Sequence, residues 1–410
     1  MNFFYNIFIL LYKITLWCLS LFNNKAKNIV KNQKNLIQKI QSSTNGERNI
    51  VWFHAASLGE FEQGKSVIKI YKQKNPNHKI LLSFYSPSGY NNMKNSELAD
   101  WVFYLPHDTR ENAKFIAKNI KPLKVIFIKY EFWFNYIREM KKENIPVYFI
   151  ASIFRKEQYF FKFYGKWFAR QLQKVSYFFV QNTESEKLLK SIDINNVKVI
   201  GDSRFETVLD NARKEYTNRI IQEFCKNSKI LIAGSTWTND LNLFEIFDEL
   251  DLGSVLFDLL DYKIIIAPHE LDHLGKIQGI GKKAKLNSVL LSNCKISDCN
   301  NFDILIIDEI GILSKIYRYA DIAYIGGGFG KGIHNCLEAA VYNIPIVFGP
   351  NYHKFQEAKD LIYLGIARSI NNSEEFIDSI DHFEKLDIKQ ISKNYFKNKI
   401  GVAEIITQHI

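Results

Sequence analysis

A chain of 410 residues, 47% of them hydrophobic, carries enough apolar surface for two cores, so two domains are expected. Five scattered cysteines, of which only Cys294 and Cys299 lie close together, exclude a disulfide scaffold and a paired-cysteine zinc site; a reducing compartment and no bound metal are expected. A formal charge of +11 calls for an anionic partner. The sequence shows no nucleic-acid-binding module, so that partner is a phosphorylated substrate or an anionic membrane surface.

Phe3 to Phe22 is mostly apolar, broken by Asn6 and Lys13. It approaches the roughly 20 residues needed to span a bilayer. The basic start and small-residue cleavage site of a signal peptide are missing. Lys25, Lys27, Lys31, Lys34 and Lys39 follow it. Such a flank obeys the positive-inside rule and is drawn to anionic lipid at ~1 kcal/mol per lysine near the surface. Residues 1–22 therefore read as a membrane-anchor helix, spanning or lying on the bilayer, rather than a buried core helix.

From Asn49 the pattern alternates. Apolar runs predict strands at Ile50–His54, Lys79–Phe84, Trp101–Leu105, Lys124–Ile128, Val147–Ala151, Tyr177–Gln181 and Lys198–Ile200. Helices are expected at Glu60–Tyr71, Thr109–Asn119 and Phe132–Glu143. Strands this apolar, separated by helices, imply a parallel sheet covered on both faces. A polar segment, Val208–Asn227, marks the domain link near its start. A second series predicts strands at Ile230–Ala233, Lys263–Ala267, Ser288–Ser292, Asp303–Ile307, Asp321–Ile325 and Ile344–Phe348. Its helices are expected near Leu241–Leu250, Gly311–Tyr319, Leu337–Tyr342 and Phe355–Leu364. The class is α/β with two doubly wound domains, 23–207 and 208–410, and ligands bind at the carboxyl ends of strands in such sheets.

The second series contains the most telling stretch, Gly326-Gly327-Gly328-Phe329-Gly330, continuing to Gly332-Ile333-His334-Asn335-Cys336-Leu337-Glu338. A strand, a glycine turn and a helix start would present backbone N–H groups to a phosphate. Its late position argues for a nucleotide-sugar site in the second domain, not for an ordinary dinucleotide fold. Asn335 and Glu338 also have capping-box spacing. Pro268 and His269 follow a strand, and His269 has the chemistry to donate to a phosphate; Gly311, Ile312 and Leu313 open a helix and offer backbone N–H groups. In the first series Ser57 and Glu60 have capping-box spacing at a helix start, and Glu60 has the chemistry of a general base. Glu131, between Tyr130 and Phe132, reaches the same sheet edge. Phe154 to Arg170 mixes aromatic and basic residues, as a helix packed on the sheet or touching lipid headgroups would.

Taken in order, these motifs resemble those of the 3-deoxy-D-manno-octulosonic acid (Kdo) transferases of lipopolysaccharide assembly. The matching pieces run from His54-Ala55-Ala56-Ser57-Leu58-Gly59-Glu60 and Glu131-Phe132-Trp133-Phe134-Asn135 through Gly201-Asp202-Ser203-Arg204-Phe205 and Ala233-Gly234-Ser235-Thr236 to Gly332–Glu338 and Gly349-Pro350-Asn351-Tyr352. The resemblance implies a GT-B fold of two facing Rossmann-like domains, acceptor first and donor second. It implies a cell-envelope glycosyltransferase that moves Kdo from CMP-Kdo to a glucosamine hydroxyl of a tetraacylated lipid A precursor. Inversion at the anomeric centre, no cofactor and no metal are implied, at the cytoplasmic face of the bacterial inner membrane. Glu60 is the implied base, with Glu131 and Arg204 stabilising the transition state. Pro268, His269, Gly311, Ile312, Leu313, Asn335, Cys336, Leu337 and Glu338 are implied to hold CMP. The chain departs from the family in three places. An arginine often stands between the residues equivalent to Pro268 and His269, Arg204 replaces a common lysine, and Ile312 replaces a frequent glutamate and has no side-chain role. Two other readings remain: a UDP-sugar transferase of the same fold, or a membrane-bound nucleotide-binding protein without catalysis.

Overall fold

The computed structural model describes residues 1–249, 262–283 and 285–410. The chain forms two compact units, residues 1–207 with 399–410, and residues 208–398. Each is built on a seven-stranded sheet of parallel strands.

In the first unit the strands are β1 (Ile50–Ala55), β2 (Lys79–Phe84), β3 (Trp101–Tyr104), β4 (Lys124–Ile128), β5 (Val147–Ser152), β6 (Tyr177–Val180) and β7 (Val197–Val199). Their order is β3-β2-β1-β4-β5-β6-β7, so the winding reverses between β1 and β4. Both faces are packed. Ile50 and Trp52 of β1 point into one apolar cluster, while Val51, Phe53 and Ala55 point into the other, as the two-residue period of a strand requires.

The second unit contains β8 (Lys229–Thr236), β9 (Tyr262–Pro268), β10 (Ser288–Leu290), β11 (Ile304–Ile306), β12 (Ile322–Ile325), β13 (Ile346–Phe348) and β14 (Ala367–Ser369). The order β10-β11-β9-β8-β12-β13-β14 places its reversal between β8 and β12. The doubly wound architecture read from the sequence is present in both units.

Several details depart from the sequence reading. The expected second domain ran to residue 410, but residues 399–410 belong to the first unit. The helix Val402–His409 buries Val402, Ala403 and Ile406 against Phe61, Val67 and Ile68 of the helix Leu58–Lys74. The helix expected over Phe132–Glu143 begins at Phe134, because residues 130–133 form a tight turn with Phe132 N–H bonded to Tyr130 and Trp133 N–H to Glu131. Phe132 is held out of the helix by stacking on Phe149 and an edge contact with Phe160. The helix expected over Thr109–Asn119 is α-helical only over Arg110–Phe115 and continues as a π turn, Ile116–Ile120. Phe154–Arg170 is not one helix but two 3-10 turns, Tyr159–Phe161 and Phe163–Gly165, followed by the helix Lys166–Leu172. The helix Thr238–Glu249 is present; its expected last residue, Leu250, lies outside the described residues.

The N-terminal helix, Asn2–Leu19, packs sideways on the first unit. Tyr5 donates its hydroxyl to the buried Asp108 at 2.5 Å, Asn135 donates its amide to Asn6 at 3.0 Å, and Trp167 donates its indole N–H to Asn2 at 3.1 Å. Tyr12 pairs with Tyr85 one turn beyond Ile9. The rest of its surface is apolar and open: Phe3, Phe4, Phe8, Leu10, Leu11, Ile14 and Trp17 are all at least half exposed, as is Phe22 in the turn that follows. By length and composition this helix is able to cross a membrane.

Candidate active site

In the first unit, β1 and β4 flank the winding reversal, the position where α/β sheets receive ligands. β1 leads through Ala56 and Ser57 into the helix Leu58–Lys74, whose first turn carries Glu60. Glu60 Oε2 accepts the Ser57 backbone N–H at 3.1 Å, so the capping contact expected from the spacing is made. β4 leads through Lys129, which adopts φ 74°, into the turn holding Tyr130, Glu131 and Trp133. Glu60 and Glu131 thus issue from adjacent strands at one sheet edge.

Glu131 is fixed by two donors. Its Oε2 accepts the Trp133 indole N–H at 2.8 Å and lies 3.2 Å from His54 Nε2. A carboxylate only accepts, so His54 carries a proton on Nε2. The other ring nitrogen, Nδ1, is 2.9 Å from Ser83 Oγ, and Ser83 Oγ accepts the Trp52 indole N–H at 2.7 Å. Nδ1 also lies 3.0 Å from the Ser83 carbonyl oxygen, so Ser83 holds the ring through both its hydroxyl and its carbonyl, and hydrogen-bond contacts link Trp52, Ser83, His54 and Glu131. His54 is fully buried.

Burial raises the pKa of Glu60 above the ordinary carboxylate value, and the charge of Glu131 raises it further; Lys129, His54 and the Ser57 N–H pull it back. Arg204 opens the helix Arg204–Arg213 and grips Asp202 through Nε at 2.8 Å and Nη2 at 2.5 Å. Tyr130 unites these groups. Burial raises its hydroxyl pKa, Arg155 and Arg204 lower it, and Glu60 raises it, so all three charges lie within electrostatic reach of one phenol. Glu60 thus feels the charge of Glu131, and Tyr130 those of Glu60 and Arg204. Sequence reading missed His54 and Tyr130 as members of the group, although both lie in the quoted motifs or directly beside them.

In the second unit the loops after β8, β9, β11 and β12 leave the carboxyl edge of neighbouring strands, carrying Trp237, His269, Gly311–Leu313 and the glycine stretch. The glycines are forced by close backbone packing. A Cβ on Gly326 would lie 2.3 Å from the Ser235 carbonyl oxygen, and one on Gly328 would lie 2.5 Å from the Gly349 nitrogen. Gly327, at φ 90°, donates its N–H to buried Asp240 at 2.8 Å. Asp240 also accepts the Tyr324 hydroxyl at 2.7 Å and the Trp237 N–H at 2.8 Å, which ties β8, β12 and the turn together.

The N–H groups of the turn, expected to face a phosphate, divide into two sets. Those of Gly326, Gly327, Gly330, Gly332, Ile333 and His334 bond within the protein. Those of Gly328, Phe329, Lys331 and Asn335 have no such partner among the described residues. The following helix, Leu337–Ala340, is a single turn with Cys336 at its N-cap, so its dipole adds little. Asn335 does not cap it in the expected box; its amide nitrogen donates to Glu338 at 3.0 Å and its carbonyl oxygen accepts from Leu337 N–H at 3.3 Å. Cys336, Leu337 and Ile312 are buried apolar packing, which leaves only their backbone for a ligand. Gly311 adopts φ 88° just before Ile312 and Leu313, and Pro268 ends β9.

His269 stands in an aromatic stack that sequence reading missed. Its ring lies 4.4 Å from that of Trp237 at 26°, and 4.5 Å from that of His334. Trp237 donates its indole N–H to His334 Nε2 at 2.8 Å. Burial lowers the pKa of His269 and takes His334 down to about 4, so this stack is neutral at physiological pH. Thr236 Oγ1, fully buried beside it, has no hydrogen-bond partner among the described residues.

Two Rossmann-like units with sites at their winding reversals define a GT-B glycosyltransferase fold. A crystal structure of a glycosyltransferase from Rickettsia africae shares it, with TM-score 0.59 and 12% identity over 88% of this chain and 97% of that one. Residues 30–207 match the family described as 3-deoxy-D-manno-octulosonic-acid transferase (kdotransferase). A curated Chlamydia muridarum protein named 3-deoxy-D-manno-octulosonic acid transferase is 24% identical over 371 residues, 86% of this chain and 83% of its own. A bifunctional glycosyltransferase/methyltransferase of Fusobacterium nucleatum subsp. nucleatum is 28% identical over 381 residues, 88% of this chain; the match spans 57% of that longer relative.

Proposed function

We propose that this protein transfers Kdo from CMP-Kdo to a glucosamine hydroxyl of a tetraacylated lipid A precursor, inverting the anomeric centre without a metal. The observation that carries this reading is the gathering of Glu60, Glu131 and Arg204 around Tyr130 at the β1/β4 reversal, inside the segment that matches the Kdo transferase family. Glu60 takes the proton of the acceptor hydroxyl as its oxygen bonds to the anomeric carbon. The bond from that carbon to the phosphate oxygen breaks, and CMP leaves with the electron pair. A carboxylate with a raised pKa suits this step, since a base works best when its pKa approaches the operating pH. Glu131, oriented by His54 and Trp133, offsets positive charge developing on the sugar. Arg204, held by Asp202, faces the acidic groups of the substrates. His269 and the backbone at Gly311, Ile312, Leu313, Asn335, Cys336, Leu337 and Glu338, with Pro268, hold the cytidylate. His269, neutral, donates through a ring N–H rather than as a cation.

The N-terminal helix, docked along one side and apolar on the other, supports a location on the cytoplasmic face of the inner membrane, with the helix lying in the interface rather than crossing it. The test is mass spectrometry of the acceptor after incubation of purified protein with CMP-Kdo and the tetraacylated precursor. A mass gain of one or more Kdo units is expected. Transfer from UDP-sugars alone, or CMP binding with no transfer, overturns the reading.

A further inference from the structure

Under the first turns of the N-terminal helix lies a cavity of about 520 Å³. It is lined by Tyr5 and Ile9 of that helix, by Phe132 and Phe134, and by Trp167 and Phe168. Tyr130 and Glu131 border it as well. We infer that this cavity receives one acyl chain of the acceptor lipid; the inference rests on the lipid-acceptor reading given above.

Three observations commit the cavity to this occupant. First, its size is that of a small-molecule site, and its walls are predominantly aromatic and aliphatic, with polar atoms confined to Glu131 and the tips of the tyrosines and tryptophans, so they favour a hydrocarbon. Second, the rim is continuous with the open apolar surface. Phe4 and Phe8 line the cavity and are 65% and 61% exposed, and Phe163, 87% exposed, lies between the Tyr159 and Trp167 portions of the wall. A chain in a bilayer held by that surface enters without crossing water. Third, the polar side carries the charges that a phosphorylated glycolipid head requires. Lys129 and Arg155 sit 5.4 Å and 5.9 Å from the centre of the Tyr130 ring, and the same phenol senses Glu60. One amphiphile thereby spans the site, with its chain under the helix, its anionic head at Lys129 and Arg155, and its hydroxyl near the carboxylates.

The experiment uses the full chain in phospholipid nanodiscs and a tetraacylated diglucosamine bisphosphate bearing a diazirine at the end of one acyl chain. Peptide mass spectrometry after irradiation is expected to place the label on the Tyr5–Ile9 or Tyr159–Phe168 segments, with label lost on addition of unmodified acceptor but not of phosphatidylglycerol. Label confined to Phe3, Leu10 and Phe22, or lost equally to phosphatidylglycerol, overturns the inference. Ile9→Trp fills the cavity, and is expected to reduce the ratio of kcat/KM for long-chain over short-chain acceptor at least about fivefold; an unchanged ratio overturns it. Cavity labelling without sugar transfer by the wild type supports the cavity and overturns the transfer reading instead.

Discussion

The carboxylate of Glu131 raises the proton affinity of Glu60, its neighbour across the β1/β4 reversal. Burial contributes more, but only the Glu131 contribution is removable by a single isosteric change. As the proposed base, Glu60 must be deprotonated, so the acid limb of kcat/KM is expected above the ordinary carboxylate range. Glu131→Gln removes the like charge, lowers the pKa of Glu60 and moves that limb to lower pH, while the rate itself drops. A limb that stays in place in the variant would assign it to another group.

Glu60→Gln separates catalysis from folding. Glutamine keeps an acceptor for the Ser57 N–H, so the helix start stays capped, whereas alanine would lose about 1 kcal/mol of cap. Transfer is expected to fall by ~10²- to 10⁴-fold. CMP affinity by calorimetry should change by less than about twofold, because the proposed nucleotide contacts all belong to the second unit. Near-normal transfer in a folded Glu60→Gln protein removes Glu60 from the mechanism.

Two glycines of the same turn should behave oppositely. A Cβ on Gly328 meets the Gly349 backbone nitrogen at 2.5 Å, and backbone on both sides has nowhere to go. Gly328→Ala should cost about 1–3 kcal/mol and weaken CMP binding with it. A Cβ on Gly330 finds its nearest neighbour at 3.6 Å, and its φ is not positive. Gly330→Ala should be neutral or slightly stabilising in a thermal melt. Equal losses in both variants would mean that the turn requires glycine flexibility rather than close packing.

What the sequence revealed, and what it hid, has a physical pattern. Apolar runs such as Val125–Ile128 and Ile322–Ile325 are legible because a strand buried on both faces admits nothing else. Glu60 is legible because a helix start and its cap are local in sequence. β14 is three residues long with only Ala367 buried, too little pattern to detect. The Trp237–His269–His334 stack joins residues almost a hundred positions apart, and the role of Asp240 depends on Gly327 coming back to it. The cavity under the N-terminal helix depends on a docking mode that the hydrophobicity of Phe3–Phe22 does not encode; Tyr5, Asn6 and Tyr12, the residues that set it, read as interruptions or ordinary aromatics.

The return of the C-terminal helix to the first unit yields the last prediction. Glu206 lies two residues after Arg204 and accepts the N–H of Gly401 at 2.7 Å and of Ala403 at 3.1 Å. It caps Val402–His409 from outside that helix and places a carboxylate at the positive end of its dipole. The helix in turn covers Phe61, Val67 and Ile68, on the same helix that begins with Glu60. Glu206→Ala strands two N–H groups in a partly buried place and should cost ~1–3 kcal/mol. Ending the chain at Asn398 exposes the apolar side of the Glu60 helix as well, and should lower kcat and the melting temperature of the first unit while CMP affinity is retained. Loss of CMP binding on truncation, with kcat and the first unit's melting unchanged, would show that residues 399–410 support the second unit instead.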